Sequence, residues 1–345
     1  MKRTKNEKDS LNYVQSRLYS NFNDLTNELS LPARKFVKQM LYGIIASKSS
    51  IVQRVAGVQR ETISLKKTSE RLYNNLKRKG LCSTLICNLL TINLSEVDEL
   101  TPYFIDLSDI NKKGATKMQG RTNVWDGSEG KINPGYFTIQ ASSCDPENPR
   151  RLKLLYSELF SIKEEETSEN EKIINLISEI SILSKNKGVF VGDRGFDRAK
   201  LITFMIGNNI SFIFRGDKRK LIYNGESKSY YEIAKDLDLK YEVISKGRTF
   251  KTGITRVGFT MPNSPDRKHK KKRIAELTLL VSKERGKGFT YYLCGLGNGY
   301  PEEKLVDMVV KYYGMRWGIE EIHKQIKESF NLEKMQLLTY ESLKI

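Results

Sequence analysis

The chain has little of what would mark a secreted, membrane-bound or zinc-stabilised protein. It carries four cysteines, two histidines and eight prolines in 345 residues. Cys82, Cys87, Cys144 and Cys294 are scattered, and neither His269 nor His323 stands at zinc-ligand spacing from them, so no disulfide framework and no zinc site is expected. Cysteines used this way suit a reducing compartment and buried, inert positions. The basic start MKRTKNEKDS leads into no apolar segment, and no run of eighteen apolar residues occurs, so neither secretion nor membrane spanning is expected. Acidic residues are also in deficit: 41 Asp and Glu face 59 Lys and Arg, leaving a formal charge of +18. A surplus of that size favours a polyanionic partner and disfavours self-association.

What is present is unevenly placed. Residues 34 to 79 carry twelve Lys/Arg against two Asp/Glu, and residues 211 to 290 carry twenty against nine. These two segments hold the whole surplus and flank a nearly neutral middle, the pattern of a body with two attachments that grip nucleic acid. Solvated, lysine-rich surfaces would give the same counts. With 39% hydrophobic residues the chain can bury a sizeable core in more than one domain.

Periodicity divides the chain into four parts. Residues 1–98 repeat apolar positions at helical spacing, as in LPARKFVKQMLYGIIAS and ISLKKTSERLYNNLKRKGL, which predicts a helical domain. Within it, SSIVQRVAGVQRETISLKKTSERLYNNLKR offers a short helix, a turn at Gly57 and a basic second helix, a pattern shared by a helix-turn-helix and by any basic helical hairpin. Residues 99–215 read as a mixed α/β unit. The runs PYFIDLSDI, GYFTIQASS and RLKLLYSELFS predict three neighbouring strands, separated by turn-rich stretches such as NKKGATKMQGRTNVWDGSEGKINPG. A helix through IINLISEISIL, the strand GVFVGD, a helix through AKLITFMIGNN and the strand SFIFRG complete a largely buried mixed sheet. Residues 216–298 read as a β-rich insertion, with strands in TFKTGITRVGFTMP, RIAELTLLVS and GFTYYLCGL and a basic run, RKHKKKR, at 267–273. In residues 299–345 helical signal resumes with PEEKLVDMVVKYYGMRWGIEEIHKQIKESF, where Pro301 and two glutamates mark a helix start.

That last helix carries a polar stripe. At about 100° per residue, Tyr313, Arg316, Glu320 and Lys327 project within an arc of roughly 60°. Met315, Ile319, Ile322, Ile326 and Phe330 cluster on a neighbouring face, so packing them aims the stripe along the edge of a core. Asp106 interrupts the apolar run YFI and Asp193 ends the run GVFVG. Carboxylates at buried strand ends need a cation or an arginine between them, and Glu320 would make a third. Three oxygen donors from separate elements suit Mg²⁺ or Mn²⁺ better than zinc, and two such ions would promote an in-line displacement at phosphorus. Each residue alone has a blander reading. An Asp at a strand end is commonly a turn former, and Arg316 with Glu320 is an ordinary surface ion pair of about 0.3–0.5 kcal/mol. Asp109 competes with Asp106, since only strand phase chooses between them. Asp197 reads as the N-cap of the following helix. Trp317 reads as a packing residue, Trp125 as an exposed aromatic that DNA could contact, and His323 as structural.

The spacing of Tyr313, Arg316, Glu320 and Lys327 resembles the signature of the insertion-sequence-four family of DDE transposases, as do IDLSDI around Asp106, VGDRGFD around Asp193 and the strand-rich insert before Glu320. The resemblance implies an RNase H-like core with Asp106, Asp193 and Glu320 as catalytic, metal-binding carboxylates for two Mg²⁺ or Mn²⁺ ions. It implies that Tyr313, Arg316 and Lys327 contact DNA at the cut end. Arg194 could also neutralise DNA or partner the carboxylates. The substrates would be double-stranded terminal inverted repeats and target DNA, and the working form a homodimer pairing two element ends. The protein would be cytoplasmic, DNA-associated and prokaryotic. Members of that family usually continue beyond the point where YESLKI ends this chain, which implies a C-terminally truncated copy. The alternatives are a DNA-binding repressor without catalysis and a nuclease without strand transfer.

Overall fold

The computed structural model describes residues 22–127, 129–262, 273–296 and 299–344. The start MKRTKNEKDS, His269 and the run RKHKKKR except Arg273 lie outside the described residues.

The fold is built outward from two strands that are apolar on both faces. β1 (Pro102–Asn111) opens with Tyr103, Phe104 and Ile105 fully buried, and β5 (Val189–Gly192) is buried throughout. Such strands are stable only between two covering layers. They lie side by side in parallel, with Phe104 opposite Val191. On one side β1 pairs antiparallel with β3 (Lys131–Asp145), which pairs with β4 (Asn148–Phe160); on the other, β5 pairs in parallel with β6 (Phe212–Arg215). The order β4-β3-β1-β5-β6 is a mixed α/β arrangement, consistent with the RNase H-like core that the resemblance implies.

One covering layer is the helix Glu169–Ser184, fixed at its start by a capping box of Ser168 and Glu171, with the helix Ala199–Gly207. Ile173, Leu176, Ile177 and Ile180 reach Tyr103, Ile105 and Phe190 in one cluster, each contributing about 1.5–3 kcal/mol by burial. The opposite layer is the helix Glu302–Met315, whose Val306 and Val309 pack on Phe104 and Val191. The N-terminal helices Leu31–Ser47, Val52–Gly57 and Leu65–Asn75 form a third cluster that takes in Tyr136 of β3 and Leu337, Tyr340 and Leu343 near the C-terminus. Residues 58–64, between the second and third of these helices, exceed the tight turn of a helix-turn-helix. Glu61 organises that connection by accepting from Arg71, Thr68 and Gln39.

The strand-rich insert continues the core sheet. β12 (Phe289–Gly295) pairs with β6, and β11 (Ile274–Glu284), β10 (Arg248–Thr260), β7 (Lys220–Tyr223) and β8 (Glu226–Ser229) follow, giving a twelve-stranded sheet with β9 (Tyr241–Ser245) on β10. Asp197 pins this extension. Its buried carboxylate takes Arg219 at 2.6 Å and the Tyr230 hydroxyl at 3.0 Å, while Arg198, not Asp197, occupies the N-cap of the next helix. The cysteines are free, with Cys144 and Cys294 buried, but Cys87 is exposed rather than buried. Among the described residues no helix is long and apolar enough to cross a membrane.

Candidate active site

Strand register sets the site. Two residues beyond the Phe104–Val191 pair, Asp106 on β1 stands level with Asp193, which leaves the end of β5. Across β3, Asp106 faces Gln140. Gly192 lets the chain turn sharply here, because a Cβ at that position would lie 2.6 Å from the Phe196 ring. The Asp193 carboxylate accepts the Gly195 N–H at 2.8 Å and so caps the 3₁₀ turn Arg194–Phe196.

The third element is not one unbroken helix. Glu302–Met315 ends, the chain passes through Arg316, the helix Trp317–Lys324 begins, and Gln325–Ser329 widens into a π turn. Ile319 is fully buried and holds the second segment down, while Ile322 and Ile326 are half-buried. Arg316 and Glu320 therefore face Asp106, but the π turn adds a residue to the turn and carries Lys327 elsewhere. Lys327 lies 3.6 Å from Asp109, whose other oxygen accepts from Asn111. The rival carboxylate Asp109 is thus engaged with Lys327, and Asp106 with Arg316.

Arg316 is 9% exposed, and its guanidinium lies 3.8 Å from Asp106 and donates to Glu320 at 2.5 Å. Its Nε is buried without a hydrogen-bond partner. The face of Tyr313 covers the same guanidinium at 5.6 Å, and Arg215 lies 5.8 Å from that ring and donates to the Tyr313 hydroxyl. Burial pushes the Asp106 carboxyl up to about 7, Arg316 opposes this, and the charges of Asp193 and Glu320 add to the rise. Burial works against the charged Arg316 as well, but Asp106, Tyr313, Glu320 and Asp193 more than compensate and raise its pKa. Three acidic side chains and one arginine thus share a single electrostatic site.

His323, read from the sequence as structural, borders the site. One turn after Glu320, its Nδ1 lies 3.8 Å from Asp106, while its Nε2 is buried without a hydrogen-bond partner. Burial, then Lys327 and Arg316, hold its pKa down to about 4. A neutral ring therefore borders Asp106 at neutral pH. The spacing of three from Glu320 was the available signal. Arg194 is exposed beside Asp193, and Trp317 is 57% exposed with its indole N–H on Glu321, so it does not pack into the core.

A family model described as the transposase DDE domain matches residues 159–345. The chain belongs to that family. The match includes Asp193 and Glu320 of this transposase domain, whereas Asp106 precedes it. No curated protein matches the chain.

The donor chemistry of the site fits a hard divalent cation. All three acidic groups offer oxygen, and Asp106 is burdened by two neighbouring negative charges that a dication would offset. Among the described residues, however, no three His, Cys, Asp or Glu side chains are gathered to hold a metal ion. In this conformation Arg316 supplies the positive charge to Asp106 and Glu320.

Proposed function

We propose that this chain is a DNA transposase of the insertion-sequence-four type, which cuts DNA at the terminal inverted repeats of its own element and joins the freed 3′ end to target DNA. Asp106, Asp193 and Glu320 would hold Mg²⁺ or Mn²⁺, which when bound supplies Lewis acidity at the reacting phosphate. The observation that supports this most is the register of β1 on β5, which sets Asp106 level with Asp193 beneath the segment carrying Arg316 and Glu320.

In this reading each side chain has a physical task. Asp106 and Asp193, on adjacent strands of a rigid sheet, fix the spacing of the acidic groups. Glu320 closes the site from a separate segment whose position depends on the buried Ile319. Arg316 has two partners to exchange, its carboxylates and a DNA phosphate, and its planar fork suits either. Tyr313 holds that guanidinium by its ring face. Arg194, exposed next to Asp193, and Lys327 would contact the DNA backbone, orienting the strand without reading bases. A homodimer pairing two ends would be the working assembly.

Joining separates this reading from a nuclease. Pre-cut element ends bearing a 3′-hydroxyl are incubated with the full chain, Mg²⁺ and a supercoiled target plasmid. Covalent end–target products are expected, and cutting without joining would assign a nuclease. A DNA-binding repressor draws support from the carboxylates being bridged by Arg316 and not gathered around an ion site; it forms neither product.

A further inference from the structure

One apolar feature of the surface is explained neither by the core nor by the carboxylate site. β2 (Thr122–Asp126) and β3 form a hairpin in which Trp125 pairs directly with Ile132, and these side chains are 60% and 64% exposed. An aromatic and a β-branched residue facing each other stabilise a hairpin modestly, a gain that does not require leaving two large apolar groups in water.

The register shows where this pair stands. β3 runs without a break in register from Ile132 through Gln140, the residue opposite Asp106. Side chains alternate along a strand, so Ile132, eight residues from Gln140, points to the same side of the sheet as Asp106. At about 3.3 Å per residue the pair lies roughly 26 Å from Asp106, or about eight base pairs of B-form DNA. β1 runs on to Asn111, past the level of Asp193, so the hairpin projects beyond the end of the sheet from which Asp193 emerges.

Charge selects the partner. Lys113 and Lys131 pair with Glu129, and Lys113 also with the buried Asp126, so Lys117 and Arg121, in the segment leading into β2, carry the surplus positive charge of this end of the sheet. The Arg121 guanidinium donates to the carbonyls of Lys112 and Thr116, with no acidic side chain among the described residues bonded to it, and its Nε is buried without a hydrogen-bond partner. A second copy would bring the same cationic rim and be repelled, whereas a duplex offers phosphates to the rim and sugar and base edges to the apolar tip.

We propose that the Trp125–Ile132 hairpin is a DNA-gripping finger that packs its indole into the groove of the duplex, about eight base pairs from the phosphate at the carboxylate site. This rests on the transposase reading only for the presence of DNA. Tryptophan occurs twice in the chain, so Trp317→Phe leaves Trp125 as the sole reporter in an otherwise intact protein. That variant is titrated with an unlabelled duplex carrying an element end and its flanking DNA. Trp125 emission and acrylamide accessibility are read, while binding is followed by anisotropy of a labelled copy of the same duplex.

Quenching and shielding of Trp125 that saturate together with binding are expected. Trp125→Ala should weaken binding by roughly 5- to 100-fold with an unchanged salt slope, and Lys117→Gln should lower the slope by about one. If the duplex binds but Trp125 stays accessible and Trp125→Ala binds like the parent, the finger is wrong and the transposase reading stands. Shielding that grows with protein concentration in the absence of DNA would make the tip a contact between copies and overturn the proposal. No binding of the duplex at all would overturn both.

Discussion

At the scale of single residues, the site turns on how a buried arginine and a buried carboxyl divide one environment. Arg316 is the main group opposing the rise of the Asp106 pKa, ahead of the Leu107 backbone N–H, so Arg316→Gln should carry the Asp106 midpoint above about 7, followed by carboxyl-carbon NMR. An unmoved midpoint would contradict the pairing. His323 adds a second, opposite titration. Asp106 changes from 3.8 unfolded to about 7 folded, so its contribution to stability is complete below pH 3.8 and is lost as pH rises through 7. His323 changes from 6.5 unfolded to about 4 folded, so its contribution is present above pH 6.5 and is lost as pH falls through 4. Between pH 4 and 6.5 the two oppose each other. Asp106→Asn should therefore lose stability more steeply than the parent on acidification across that window, and His323→Gln less steeply, each difference being about 2–4 kcal/mol. Urea unfolding at both ends of the window checks this; identical pH slopes in the two variants would refute the assignment.

At the scale of elements, β5 shows what local sequence can and cannot say. The run GVFVGD is legible because a short apolar stretch ended by Gly and Asp can be little else than a buried strand. That Gly192 must lack a side chain is not legible, since the obstacle is the Phe196 ring folded back over the strand. Gly192→Ala should cost about 1–3 kcal/mol in chemical denaturation and displace Asp193, lowering any cutting activity more than it lowers DNA binding. A variant as stable and active as the parent would show that the turn yields freely. The polar stripe was half legible. Tyr313, Arg316 and Glu320 follow helical spacing closely enough to share one site, but the break at Arg316 and the π turn at Gln325–Ser329 are marked by no Pro in the sequence. The hairpin strand β2 escaped notice for a different reason: five residues of alternation sit among Gly, Asp and Ser, and the surrounding turn chemistry hides them.

At the scale of the whole molecule, the order of strands in the core follows from apolar runs and short connections, while the continuation of the sheet through β12 into the insert depends on a pairing between residues some eighty positions apart in the chain, at Phe212 and Gly295. The first basic segment sits in the N-terminal helices, ahead of Asp106, and the described part of the second sits in that sheet extension, between Asp193 and Glu320 in sequence. DNA affinity should accordingly fall steeply with salt. A loss of about a thousandfold or more is expected between 50 and 200 mM if six or more phosphates are neutralised. Fluorescence anisotropy across that range measures it, and a flat salt dependence would mean that the charge of +18 serves solubility alone.

The central claim is that Asp106, Asp193 and Glu320 form one phosphodiester-cutting site, and strand nicking by Asp106→Asn tests it most directly. With Mg²⁺ and DNA carrying an end of the element, the parent chain is expected to nick at the repeat boundary. Asp106→Asn should bind the same DNA with similar affinity and leave it uncut. Nicking by Asp106→Asn at the parental rate would contradict the account.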